Sequence, residues 1–347
     1  MSTFLNVIRY CGVSLLLLLS NSSALAQVDK ENTEVPVRIT LRPDKETIML
    51  GEPLFISFEV TNLSGERLCL GVGGDYRNKF GRPESFKVSV TGEDGTAVPQ
   101  PEAEGLGGFV GCASIESGET YTVRLFLSHW ATITRTGSYH INVKRGMGFS
   151  NYESFDVRKQ KYSMKADVNA RFTVAPADEN QMGAIINSLG SVMLDASNPS
   201  AAESAAALAW IHDKRVISYF AEAVREFSDY EFFGLTPESL ISSRAIAVLG
   251  TYDDDRAIQA LEAVMNSPCE HTRLDVAESF GESPHKSAIK LLLKMQDDNF
   301  WWVRKRVAQG LKGVNTKESL AALHKLLRDE NEDVRNAAKE TLKSTGH

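Results

Sequence analysis

The chain reads as a multidomain β plus α protein, an antiparallel β-sandwich followed by an α-solenoid of helix pairs. Three observations lead there. From about Leu240 to the C-terminus, apolar residues recur at a spacing of 31. From residue 27 to about 176, apolar and polar residues alternate with period two. Between them, Ala175-Pro176-Ala177-Asp178 closes the last alternating run and precedes the first helical pattern. The expected organisation is therefore a signal peptide over 1–26, a sandwich over 27–176 and a helical repeat domain over 177–347.

The first segment carries the marks of export. Arg9 gives a positive n-region, Val13 to Leu19 a short apolar run broken by Ser14, and Ala24-Leu25-Ala26 a small-x-small cleavage site before Gln27. The run is too short to span a bilayer as an ordinary helix. An uncleaved N-terminal anchor is the alternative. No later stretch approaches spanning length, so the mature chain is expected to be soluble, and periplasmic or secreted. Export permits disulfides. Cys69 and Cys112 lie in the strand-rich part and form the natural pair, whereas Cys269, near the start of a repeat helix, reads as a small buried apolar residue.

The strands follow in order. Val35, Val37, Ile39 and Leu41 alternate with polar neighbours, as do Leu54, Ile56, Phe58 and Val60. Later runs are Phe86 to Val90, Tyr121 to Leu125, Tyr139 to Val143 and Phe172 to Val174. Turn residues separate them at Arg42-Pro43-Asp44, Ser64-Gly65, Thr91 to Gly95 and Ser117-Gly118. About seven short strands over roughly 140 residues fit an antiparallel sandwich. Two glycine-rich loops, 71–83 and 102–111, stand out. The stretch 145–168 has no clear period and is either a functional loop or an irregular hairpin.

The order Gly51-Glu52-Pro53, then Glu116-Ser117-Gly118-Glu119 before Tyr121, then Thr136-Gly137-Ser138-Tyr139 before Ile141 resembles the immunoglobulin-like accessory domains of exported bacterial proteins. It is also similar to the bacterial proteinase-inhibitor domain of the BsuPI type. The resemblance implies an Ig-like sandwich. An inhibitor would need an ordered exposed loop from 71–83 or 102–111.

The helical part begins with Met182, Ile185, Ile186 and Leu189. Columns then appear: Leu249, Phe280, Leu311 and Leu342; Ala245, Val276, Val307 and Ala338; Ile258, Ile289 and Leu320; Leu261, Leu292 and Leu323; Val264, Met295 and Leu326. Each unit reads as two amphipathic helices that cannot bury their apolar faces alone, so four or five units stack. The first unit is offset by 41 residues, which places about ten extra residues near 227–236, an aromatic plug or a binding loop. Val303-Arg304, Val307-Ala308 and Leu311 resemble the first helix of a HEAT repeat, and Val334-Arg335, Ala338 and Leu342 repeat the pattern. Asp298 and Asp329 stand six residues before the arginines, as in the short bacterial HEAT-like repeats also found in phycobilin lyases. The resemblance implies that Arg273, Arg304 and Arg335 bond the acidic turn of a neighbouring repeat. No residue here identifies a chromophore site, so lyase activity is not implied.

Chemistry is sparse. The seven histidines form neither HExxH nor an i, i+4 pair, no GxSxG elbow or P-loop is present, and Gly71-Val72-Gly73-Gly74 lacks a following helix. Asp253-Asp254-Asp255 lacks EF-hand spacing and is expected to cap the helix near Arg256. A net charge of −7 argues against nucleic acid. The expected protein is non-enzymatic, needs no cofactor, and binds a protein or peptide partner in the cell envelope. A proteinase-inhibitor or accessory role for an envelope hydrolase is the rival.

If Ile258, Leu261 and Val264 point inward, then Gln259 and Glu262 point outward, followed one period on by Lys290, Leu293 and Lys294, and then by His324 and Lys325. The HEAT resemblance implies that these second helices line the concave side. The stripe is a candidate partner site or an ordinary solvated face. Trp301 and Trp302 form a second candidate, one expected to pack and the other to remain available for contact.

Overall fold

The computed structural model describes residues 35–73, 82–101, 110–150, 161–228 and 236–344. The expected signal peptide, most of both glycine-rich loops, the 151–160 part of the long hairpin and most of the ten-residue insertion lie outside them.

Nine strands form two sheets among the described residues. The first sheet has the order β1-β3-β7, from Val37–Pro43, Phe55–Asn62 and Thr120–Phe126, all antiparallel. The second has the order β2-β9-β8-β4-β6, from Thr47–Met49, Tyr162–Ala175, Gly137–Ser150, Leu68–Gly73 and Val110–Ile115, with β5 (Phe86–Gly92) also on β8. Period-two alternation places Ile56, Phe58 and Val60 of β3 in the core, each fully buried. Phe58 meets Phe86 edge-on at 5.2 Å, so the two sheets pack face to face. The stretch 145–168 is a hairpin: β8 and β9 pair from Gly137 opposite Val174 to Phe149 opposite Tyr162.

Two expectations need correction. The second sheet is mixed, because β2 runs parallel to β9. After the turn that follows Pro43, this three-residue strand leaves the first sheet and extends the edge of the second. The strand count also rises. β4 begins with three successive buried residues, so it carries no alternation to read.

Ten helices follow among the described residues: α1 Glu179–Leu194, α2 Ala201–Trp210, α3 Val216–Phe227, α4 Pro237–Gly250, α5 Asp255–Val264, α6 Glu270–Glu282, α7 Ala288–Lys294, α8 Trp301–Gly310, α9 Lys317–Leu326 and α10 Glu332–Ser344. Local chemistry sets their starts. Asp178 accepts from the Gln181 amide, Thr236 precedes Pro237 at the first helical position, and Thr316 with Ser319 forms a capping box. Asp254 accepts from the Arg256 amide at 3.0 Å, as expected of the aspartate triplet. The Arg256 side chain and amide pull the Asp254 carboxyl down to about 2.

Four of the five columns are buried in one continuous core. In the fifth, Ile258 is buried while Ile289 and Leu320 are half-buried. The helices alternate between two layers. In one, α4, α6, α8 and α10 stack closely, with Gly281 and Gly310 at the α6–α8 crossing. A Cβ added to Gly281 would sit 2.7 Å from the Gly310 Cα. In the other layer, α3 packs against α5, while the short α7 touches α9 only lightly.

Residues 176–178 separate β9 from α1, and the sheets and helices are in contact within one compact unit. Arg124 of β7 bonds Asp44 at 2.6 Å and Glu203 of α2 at 2.8 Å. Phe126 stacks on Phe55 at 4.9 Å and meets Trp210 edge-on at 5.9 Å. The outer face of the three-stranded sheet thus rests on the N-terminal end of the closely stacked layer.

Candidate functional site

The arginine column is structural. Arg273 donates from Nε and Nη2 to Asp298 at 2.7 and 3.0 Å, and from Nη1 to the Ser267 carbonyl at 2.8 Å. Arg304 does the same one period on, to Asp329 at 2.7 and 2.9 Å and to the Asp298 carbonyl at 2.8 Å. Arg335 donates to the Asp329 carbonyl at 2.7 Å. Burial pushes the Asp329 carboxyl up, but Arg304, the Asn331 amide and Arg335 together outweigh it and hold the carboxyl below its ordinary value. Arg273 and Arg304 therefore each clasp the turn before their own helix and a carboxylate of the next unit, whereas Arg335 clasps only the turn before its helix. Such bidentate pairs are fixed geometry more than binding capacity.

The lysine stripe lies on the layer of α5, α7 and α9. Gln259 and Glu262 are exposed on α5, Lys290 and Lys294 on α7, and His324 and Lys325 on α9. Leu293, expected outside, is half-buried because it packs against the core. Two lysines are tied across units: Lys294 to Glu262 at 3.0 Å and Lys325 to Asp297 at 2.6 Å.

Trp301 is half-buried, its ring below the Lys305 ammonium at 5.8 Å, whereas Trp302 stays 45% exposed. The two rings meet edge-on at 5.3 Å, and Phe300 and His271 extend the aromatic group. Trp302 belongs to the closely stacked layer, whose free face carries rows of its own at the 31-residue spacing: Leu240, His271, Trp302; Arg244, Asp275, Arg306; Ala247, Glu278, Gln309. A recess of about 410 Å³ between α4 and α6 is lined by Ser243, Ala247, Asp275, Glu278 and Glu282. Asp275 accepts from the Ser243 hydroxyl at 2.5 Å, and Glu278 pairs with Arg306 at 3.3 Å. Burial raises both carboxyls above their ordinary values.

The seam between the halves holds charges that the sequence reading passed over. His129 packs on Phe126 and Trp210 at 5.0 and 6.3 Å. Burial, then Arg244 and Arg82, push its imidazole down to about 4, so it is neutral at physiological pH. Burial also lowers Arg244, which has no carboxylate partner among the described residues. A cavity of about 450 Å³ opens beside this seam, lined by Met49, Leu127, Met182, Trp210 and His212 among others.

Cys69 and Cys112, on the adjacent strands β4 and β6, are disulfide-bonded with Cα atoms 5.5 Å apart; Cys269 is free. Among the described residues, no group of three or more His, Cys, Asp and Glu side chains is arranged to hold a metal, and no helix is long and apolar enough to cross a membrane.

None of the curated proteins matches the chain. Among solved structures, human deoxyhypusine hydroxylase is similar at 18% identity over 48% of this chain and 75% of its own, with a TM-score of 0.31. The CARDB domain of a Pyrococcus furiosus protein is similar at 12% identity over 44% of this chain and 100% of its own, with a TM-score of 0.19. Residues 236–312 and 289–347 match the family model of HEAT repeats, and the stretch from α4 to the C-terminus is therefore a run of HEAT repeats.

Proposed function

We propose that this protein is an exported, non-enzymatic scaffold that binds a protein partner in the cell envelope through its repeats. The N-terminal sheets form an Ig-like sandwich and the helices a HEAT-like solenoid. HEAT repeats are protein-interaction scaffolds in general, and residues 236–347 match them. Export rests on Arg9, the apolar run and Ala24-Leu25-Ala26. In a curved stack, the layer whose members approach most closely is the inner one. On this reading α4, α6, α8 and α10 line the concave side and the lysine stripe the convex side, which the dense packing among the first set supports.

The observation that carries the reading is Trp302, a large aromatic left 45% exposed on the closely stacked layer. Exposed aromatics of this kind mark interfaces more often than isolated surface residues do. The test is site-specific photo-crosslinking of the exported protein in whole cells, with the probe at Glu278, Trp302, Lys294 or Thr122. A protein adduct from a repeat position supports the scaffold. Adducts from the β7 position alone would place binding in the sandwich and overturn it.

A further inference from the structure

The free face of the closely stacked layer is already occupied at one end by the chain itself. There, the outer face of β7 lays Arg124 on Glu203 of α2 and Phe126 on Trp210. Glu203 stands 41 residues before Arg244, the offset of the first unit, and Arg244 stands 31 before Asp275. The position that receives a guanidinium on α2 thus recurs two units later as Asp275. Beside it, the recess between α4 and α6 presents Glu278 and Glu282. In the same register Trp210 corresponds to Thr251 and then Glu282, and the aromatic rings near Asp275, His271 and Trp302, stand at the starts of α6 and α8 instead. Around Asp275 the face thus sets carboxylates near an aromatic ring, as Glu203 and Trp210 are set on α2, but with the ring toward the other end of the helix.

We infer that the recess between α4 and α6, with the adjoining start of α8, takes an extended protein segment from the partner, with a lysine or arginine seated beside Asp275, Glu278 and Glu282 and an aromatic side chain on Trp302. The inference rests on the scaffold reading and names the partner's chemistry. A recess of about 410 Å³ is at the small end of ligand pockets, about 300–1,000 Å³, and suits side chains of a segment. Burial disfavours the charged carboxylates there, and a cation entering the recess returns the compensation that water gave. The mixed charge of Arg306 opposite Glu278 sets the register, since an acidic side chain can only face the α8 side.

The probe is a fluorescent dodecapeptide alternating arginine and phenylalanine, with two counterparts: glutamate for arginine, and alanine for phenylalanine. Anisotropy is read with the full mature chain. The basic aromatic peptide is expected to bind at least tenfold more tightly than either counterpart, and progressively more weakly as salt rises. Asp275→Asn with Glu278→Gln, which keeps shape and acceptors, is expected to weaken it tenfold or more, and Trp302→Ala by a similar factor. Lys290→Glu with Lys294→Glu and Lys325→Glu, on the other layer, is expected to leave it unchanged. Circular dichroism confirms that each variant is folded. Equal binding of the acidic peptide, or full affinity in the Asn/Gln variant, overturns the inference. If crosslinking in cells still yields adducts from the repeats, the scaffold reading survives that outcome; if neither works, both fall.

Discussion

Arg304 and Asp329 face each other across a repeat boundary with two parallel hydrogen bonds of 2.7 and 2.9 Å, both side chains almost fully buried. Removing one partner leaves the other charge without compensation. Arg304→Ala is expected to cost about 3–5 kcal/mol in urea unfolding. Adding Asp329→Leu is expected to recover part of that loss. A single variant as stable as the parent would show that the pair contributes nothing.

The α6–α8 crossing leaves no room for side chains. Gly281→Ala is expected to destabilise by about 1–3 kcal/mol, because its Cβ would meet the Gly310 backbone. Gly65→Ala, where no atom lies within 4 Å of the added carbon, serves as the control. Thermal melts of the two variants should separate clearly.

Leu292 and Leu311 are fully buried column positions. Leu292→Ala and Leu311→Ala are each expected to cost about 2–5 kcal/mol. Neighbour coupling should spread the loss of amide protection along the helices before it reaches the sheets. Hydrogen exchange followed by peptide mass reads this directly, and uniform loss across both halves would refute it.

The pH dependence of the seam follows from His129, held at about 4 against an ordinary 6.5. Between those values the unfolded chain takes up a proton that the folded chain refuses. Stability should therefore fall as pH drops from about 6.5 to 4 and change no further through this group below that. The effect is on the order of 3 kcal/mol at most. His129→Phe should flatten this part of the profile, measured as unfolding free energy against pH.

The bridge between Cys69 and Cys112 spans 43 residues in sequence. Closing a loop of that length stabilises by roughly 3–4 kcal/mol in the chain-entropy model. Intact mass and alkylation under native conditions should find Cys269 modified and Cys69 and Cys112 protected. Cys69→Ser with Cys112→Ser should melt earlier by a corresponding amount.

Much of the helical half was legible because burial imposes a period. Leu261, Leu292 and Leu323 are all fully buried, and the arginines met the expected aspartates. The sheets were legible only where one face is wet; β4, buried in succession, gave no alternation. The seam was not legible, since Arg124 and Glu203 are 79 residues apart and each looks like an ordinary surface charge. Nor was the layer assignment. Apolar columns say which side of a helix is buried but not how far apart neighbouring helices stand, and Gly281 and Gly310 lie 29 residues apart, outside the 31-residue register.

The arginine clasp has a consequence for how such an array changes size. Arg273 and Arg304 present the same contacts to the next unit, so any junction of this type accepts the same successor. A segment such as 270–300 can in principle be duplicated or excised without new chemistry at the joint. Length then varies in whole steps, and each step adds or removes one position from every surface row. A partner that reads several positions would gain or lose contact points as integers, which makes its reach along the array countable.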